Sequence, residues 1–449
     1  MFVVGTIWVG WAAKLGNEQN VFWLIAIVTF YLPLAAAVIF LNRLMPLEGG
    51  LYQWAKFAFN DFLAFMVAWN LWVFAISILA GIGLVVTTNV SYAIGPAAAW
   101  MKENDMLVIF VSLVLVIGMV LAATRGLAVG KWFHNAGGLM LMLTFAALIL
   151  LPLFGLVRGS IGEYHPFTIQ VPTFSAYNVN VCSKLALGAL TGFEYIAIMA
   201  GETRAPARNF GRSVIIAAPI IAAMFILGTS SVVAMVPYDS IDLIAPIPQL
   251  LSVGFGPLGV VAAIVPLTLS AMIAIRFAQA SVNFAGSTRL PMVAGWDSLL
   301  PAWFTRLSET RKTPVNSILF VGAATFVLST LGLIGVGKQE AFQLLWNSAG
   351  IFYALTYLAM FAVPLWGLAR APARPPWWIK LCALSGLLMT ILYISLSVLP
   401  IIPVGSRTIF ALKIVGLIVV TNAIGVALYV SGRRSARIRR HHDDVARTN

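Results

Sequence analysis

Residues 183–208 read SKLALGALTGFEYIAIMAGETRAPAR. It starts as an apolar helix, meets Gly188 and Gly192 four residues apart, and then carries Glu194 into what composition marks as membrane. An ionisable side chain at the bilayer centre costs at least ~2.5 kcal/mol, so its presence there asks for a compensating role. Glycines loosen the helix, and unwound backbone at that depth is tolerated only where it is buried in protein or lines a cavity. Together the two features point to a broken helix that holds a small-molecule site. The plainer alternative is a buried glutamate hydrogen-bonded to neighbouring helices in a structural role.

The 449 residues are 61% hydrophobic and 10% charged, with mean hydropathy +0.95. Soluble chains carry about 25% charged residues, so the solvent of this chain is lipid. The net charge of +13 does not argue for nucleic acid, because the basic residues sit in short loops between apolar runs. Two cysteines, Cys182 and Cys382, and four histidines show no metal or catalytic spacing, and no nucleotide-binding loop occurs; no cofactor or metal is implied.

Apolar runs predict spans at about 1–13, 21–43, 62–94, 106–124, 132–157, 182–200, 212–236, 256–288, 315–335, 341–369, 377–400 and 408–431. A spanning helix takes about 20 residues, so the first reads as truncated at its N-terminus and the long third as tilted. With the loops assigned alternately and the tail placed inside, twenty Lys and Arg fall on the inner side and seven, Lys184 among them, on the outer. That asymmetry predicts cytoplasmic termini. The tail, 432–449, reads as a solvated, unstructured basic end. Arg276 lies inside a span, about 18 Å from its end at 1.5 Å per residue, too deep for snorkelling. It must face protein or a water-filled cavity, either bonded to carbonyls or in a coupling role.

The first segment holds a second break, Gly5-Thr6-Ile7-Trp8-Val9-Gly10, five spans before the break at Gly188–Glu194. Interrupted segments in matching positions of two halves mark a site between inverted repeats. Half-helix N-termini suit a carboxylate and half-helix C-termini an ammonium. A zwitterionic amino acid is complementary to both ends, and amines and other small organic ions fit the same logic.

Three stretches carry a family resemblance. TGFEYIAIMAGETRAPARN resembles the Gly-aromatic-Glu, Gly-Glu and basic-x-Pro-x-Arg pattern of the amino acid–polyamine–organocation superfamily of permeases. Residues 44–72 are similar to its Pro-x-x-Gly-Gly-x-Tyr loop, and residues 276–317 to its eighth-span exit with a Leu-Pro and a later Thr-Pro. The resemblance implies an all-α polytopic membrane protein of the leucine-transporter type. Its 5+5 inverted repeat would run over about 1–157 and 182–369, followed by two extra helices over 377–431 and the tail. It implies secondary transport of amino acids or related amines across the plasma membrane, by proton-coupled symport or exchange, with no enzymatic activity. Carried over by position, Gly5, Thr6 and Ile7 match the unwound first helix, and Leu190, Thr191 and Gly192 the unwound sixth. Phe193 completes the substrate-binding set, and Glu194, with Arg276, falls to coupling and gating. Two departures stand out: Gly188 occupies a position where some relatives carry an aromatic gate, and Met142 one where proton-coupled members often place a lysine. The alternative is a non-transporting substrate-binding sensor or truncated inactive homologue. A channel lacks its repeated polar lining, and a membrane enzyme its nucleophile–base pair.

Overall fold

The computed structural model describes residues 5–45, 50–125, 130–158, 168–192, 206–255, 264–293, 302–309, 313–368 and 374–448. Among them there is helix and turn but no strand. The chain opens with α1 (Trp8–Ala13), α2 (Gln19–Ala26) and α3 (Leu32–Leu44). A π-helical turn, Ile27–Tyr31, joins the last two. Pro33 explains the irregularity. Its ring denies the Thr29 carbonyl a helical partner, and Ser385 Oγ donates to that carbonyl at 2.7 Å instead.

Next come α4 (Leu51–Ala58), α5 (Asp61–Ala80), α6 (Ile82–Ile94), α7 (Trp100–Glu103), α8 (Asp105–Arg125) and α9 (Gly130–Arg158). The Asn60 side chain caps α5 by accepting from Leu63 N at 2.9 Å. The long third run is thus two helices meeting at Gly81. Then follow α10 (Ala176–Lys184), α11 (Pro206–Met235), α12 (Pro246–Phe255), α13 (Ile264–Val293) and α14 (Ala302–Thr305). The chain finishes with α15 (Val315–Leu333), α16 (Lys338–Ala362), α17 (Trp377–Ser397) and α18 (Arg407–Thr448).

Each of the twelve apolar runs holds helix, and eight of the described helical stretches are long and apolar enough to cross a membrane. The chain is a multi-pass membrane protein. At its centre, α5 packs against α16, α13 and α15, while α1 lies between α11 and α12. On the rim, α8 and α18 turn Phe110, Leu113, Ile117, Leu412, Val415 and Val419 outward. Such a surface is stable against lipid. Two details depart from the reading of the sequence. The tail continues α18 as helix to Thr448 rather than ending as an unstructured segment. Lys184, counted among outer-loop cations, is instead the buried last residue of α10.

Candidate functional site

The sixth stretch folds as the glycines require. Ser175 caps α10, its hydroxyl accepting from Asn178 N at 3.0 Å. After Lys184 the helix widens into a π-helical turn, Leu185–Ala189, and ends at Leu190. Gly192 then takes φ +112°, a backbone conformation that side chains resist. Phe193 and Glu194 follow immediately and lie outside the described residues.

The first segment meets this turn directly. The Trp8 indole occupies the space over Gly188, where an added Cβ would stand 1.9 Å from the ring. The position that could have held an aromatic side chain is therefore filled by one from α1. Trp8 meets Trp346 of α16 edge to face at 5.8 Å.

Between these elements is a cavity lined by Gly5, Gly188, Thr191, Gly192 and Arg276. Aromatic rings form much of its wall: Trp8, Trp346 and the stacked pair Phe74–Tyr353, whose centroids are 4.1 Å apart. Arg276, on α13, faces this space rather than lipid and donates from Nη2 to Thr6 Oγ1. Thr6 is itself buried and reaches the cavity through that bond. Thr191 Oγ1 donates back to the Leu187 carbonyl at 3.1 Å. Ile7 and Leu190 are buried in the apolar core, and their side chains are not among those lining the cavity. Gly5, Thr6, Thr191, Gly192 and Arg276 are thus brought together, and Ile7 and Leu190 support them from behind.

Arg276 is the charged side chain among the described lining residues. The Trp346 Nε1–H, also on the wall, is buried with no acceptor among the described atoms. Arg276 and the Trp346 N–H, beside the Gln279 and Asn283 amides and with no acid among the described lining residues, suit an anionic group on a small, partly apolar ligand. The aromatic wall was not singled out in the sequence. Trp346, Gly350, Tyr353 and Tyr357 share one face of α16 at helical spacing, which reads equally well as core.

One turn beyond Val85 on α6, Thr88 lines a second, more polar cleft with Asp242 and Gln339. Asp242 accepts from Tyr92 Oη at 2.9 Å, Gln339 Nε2 at 2.7 Å and Ile244 N at 2.9 Å. This knot ties α6, the turn before α12 and the start of α16 at one end of the molecule. At the loop after α1, Lys14 Nζ donates to the Tyr238 carbonyl at 2.8 Å. Burial holds its pKa below the ordinary lysine value, with Asp239 opposing. No group of three or more metal-ligating side chains occurs among the described residues.

A family model described as amino acid permease matches residues 1–422. Relatives include the probable agmatine/putrescine antiporter AguD of Lactococcus lactis, 22% identical over 355 residues that cover 78% of this chain and 73% of that protein. An uncharacterized amino acid permease of Bacillus subtilis, YecA, is 25% identical over 350 residues, 76% and 75% of the two chains. Cationic amino acid transporter 7, chloroplastic, of Arabidopsis thaliana is 23% identical over 401 residues, 79% and 66%.

Proposed function

From the premise that the chain belongs to the amino acid permease family, within the amino acid–polyamine–organocation superfamily, we propose that it is a secondary active transporter of amino acids working by alternating access. The observation that carries this reading is the cavity where the first segment and the broken sixth stretch meet, with Arg276 at Thr6. Gly5, Thr6, Ile7, Leu190, Thr191, Gly192 and Phe193 form the substrate site in this account. Glu194 and Arg276 serve coupling and gating. Repeats over about 1–157 and 182–369 rock against each other around the site, with 377–431 as two extra helices. Proton-coupled symport or exchange across the plasma membrane, with both termini cytoplasmic, completes the proposal.

The names of the relatives put amines, agmatine and putrescine, and cationic amino acids within the substrate range of similar proteins. Here the Arg276 guanidinium and the unpartnered Trp346 N–H favour a substrate that brings a carboxylate. An amine lacking that group leaves Arg276 without a counter-charge, whereas an amino acid supplies a charge-assisted bond.

Uptake of labelled amino acids and amines into proteoliposomes, with and without an inward proton gradient, tests the proposal. Saturable uptake of amino acids is expected. Binding without uptake would reject transport and favour the sensor.

A further inference from the structure

A charge at the start of the sixth stretch is used by neither the cavity nor Arg276. Lys184, the last residue of α10, is wholly buried. Its Nζ donates to Asn180 Oδ1 at 2.8 Å, one turn back, and lies 3.4 Å from Ser397 Oγ on α17. The Tyr393 ring, also on α17, is 5.8 Å away. No described carboxylate lies within 4.0 Å of this amine, although three ion pairs of that length occur elsewhere among the described residues.

Among the described residues, the elements packed against α10 add no counter-charge. On α17 the titratable group in reach is Tyr393, whose hydroxyl sits against Gly350 of α16. Lys380 and Cys382 belong to the opposite end of that helix, about 17 Å or more along it at 1.5 Å per residue. Cys182, on α10 itself, faces the Phe22 carbonyl. The helices α1 and α2 and the π-helical turn carry no ionisable side chain. Glu18, just before α2, is taken up by Thr173 and Asn178.

A buried ammonium among neutral partners is costly, and entry of water relieves that cost. The pocket nevertheless accommodates the amine in both protonation states. Asn180 Oδ1 accepts an N–H from either form. The Ser397 hydroxyl accepts from an ammonium or, rotated, donates to the lone pair of a neutral amine. Ser397 is held in place at its carbonyl by Asn347 Nδ2 at 2.8 Å, and Asn180 Nδ2 donates to the Leu399 carbonyl at 3.2 Å. The site therefore spans the seam between α10 and α17. It also stands one helical turn before Gly188, on which Trp8 rests at the cavity wall.

We infer that Lys184 is a proton-binding residue of transport, taking a proton where the α10–α17 seam opens to one side of the membrane and giving it up to the other. The proton arrives from solvent on the Nζ lone pair at one face of the membrane, is held against Asn180 Oδ1 and Ser397 Oγ while the seam is closed, and leaves to water at the other face. No other bond changes. This rests on the transporter reading above, and deepens it by naming a carrier of the coupling proton beside Glu194 and Arg276.

The test uses the full chain in proteoliposomes, comparing the parent with Lys184→Met and Ser397→Ala. The parent is expected to accumulate labelled amino acid under an inward proton gradient, with uptake that varies with external pH. Lys184→Met is expected to exchange labelled for unlabelled substrate but to lose accumulation and pH dependence. Ser397→Ala keeps the lysine and is expected to transport with a displaced pH midpoint. Accumulation by Lys184→Met with the parent's pH profile overturns the inference. So does parental uptake indifferent to the proton gradient, a Ser397→Ala profile that does not move, or joint loss of exchange and accumulation at every pH. If the parent neither takes up nor exchanges substrate, the transporter reading fails. The pH profile of substrate binding to purified parent and Lys184→Met then decides on Lys184 alone, identical profiles overturning it.

Discussion

The stretches Asp61–Ile94 and Arg407–Arg434 are equally apolar, yet 89% of the first and 17% of the second is buried in its most apolar window. Hydropathy reports that a segment belongs in a membrane, not what it touches there. The difference lies in the neighbours: α5 is enclosed by α16, α13 and α15, and its polar atoms find partners on the helices around it. In α5, Asn70 Nδ2 donates to Asn422 Oδ1 at 2.9 Å and Trp69 Nε1 to the Thr421 carbonyl at 3.1 Å. Trp72 Nε1 donates to the Ser287 carbonyl at 2.9 Å on α13. Each of these groups has found protein, because lipid offers no partner. By contrast, α18 meets α5 and α16 along one side and turns Leu412, Val415 and Val419 outward. The buried stretch also supplies Phe74 and Ile78 to the cavity wall, so the helix surrounded by protein is the one that shapes the site.

Substitutions along both regions sharpen that contrast. Trp72→Ala removes a buried ring and strands the Ser287 carbonyl, and is expected to cost about 3–5 kcal/mol, read as a large fall in the thermal midpoint of the purified protein. Gly188→Leu drives a side chain into Trp8, with an over-packing cost of about 1–3 kcal/mol and loss of uptake. Arg276→Gln removes a charge-assisted bond to substrate, weakening binding by about 1.5–3 kcal/mol, tenfold or more in half-saturation. Val419→Ala on the outer face of α18 should stay within about 0.5 kcal/mol of the parent, with uptake unchanged. A Val419→Ala effect as large as that of Trp72→Ala would show that α18 is covered by protein rather than lipid.

Much of the fold was legible because lipid imposes long apolar runs. Each of the twelve runs holds helix and eight described stretches are long and apolar enough to cross a membrane, with ends displaced where local signals compete. The first turns of α10, with Asn178 and Asn180, are too polar to stand out, although Ser175 offered an N-cap. Reading that helix from residue 182 is what put Lys184 at its outer end, among the outer-side cations. The helix α12 was hidden by Pro246 and Pro248, which a first turn tolerates. Of the site, the glycines and Arg276 were legible because they break rules of composition. Trp8, Phe74, Trp346 and Tyr353 break none, being apolar residues in apolar helices. Only their convergence from three distant segments marks them, and sequence spacing carries no record of it.

The most direct test of the central claim is competition binding to the purified protein between an amino acid and the amine left when its carboxylate is removed. If Arg276 and the Trp346 N–H receive a carboxylate, the amino acid displaces a labelled amino acid and the matching amine does not, and Arg276→Gln erases the distinction. Equal displacement by both in the parent would contradict the account and remove Arg276 from substrate recognition.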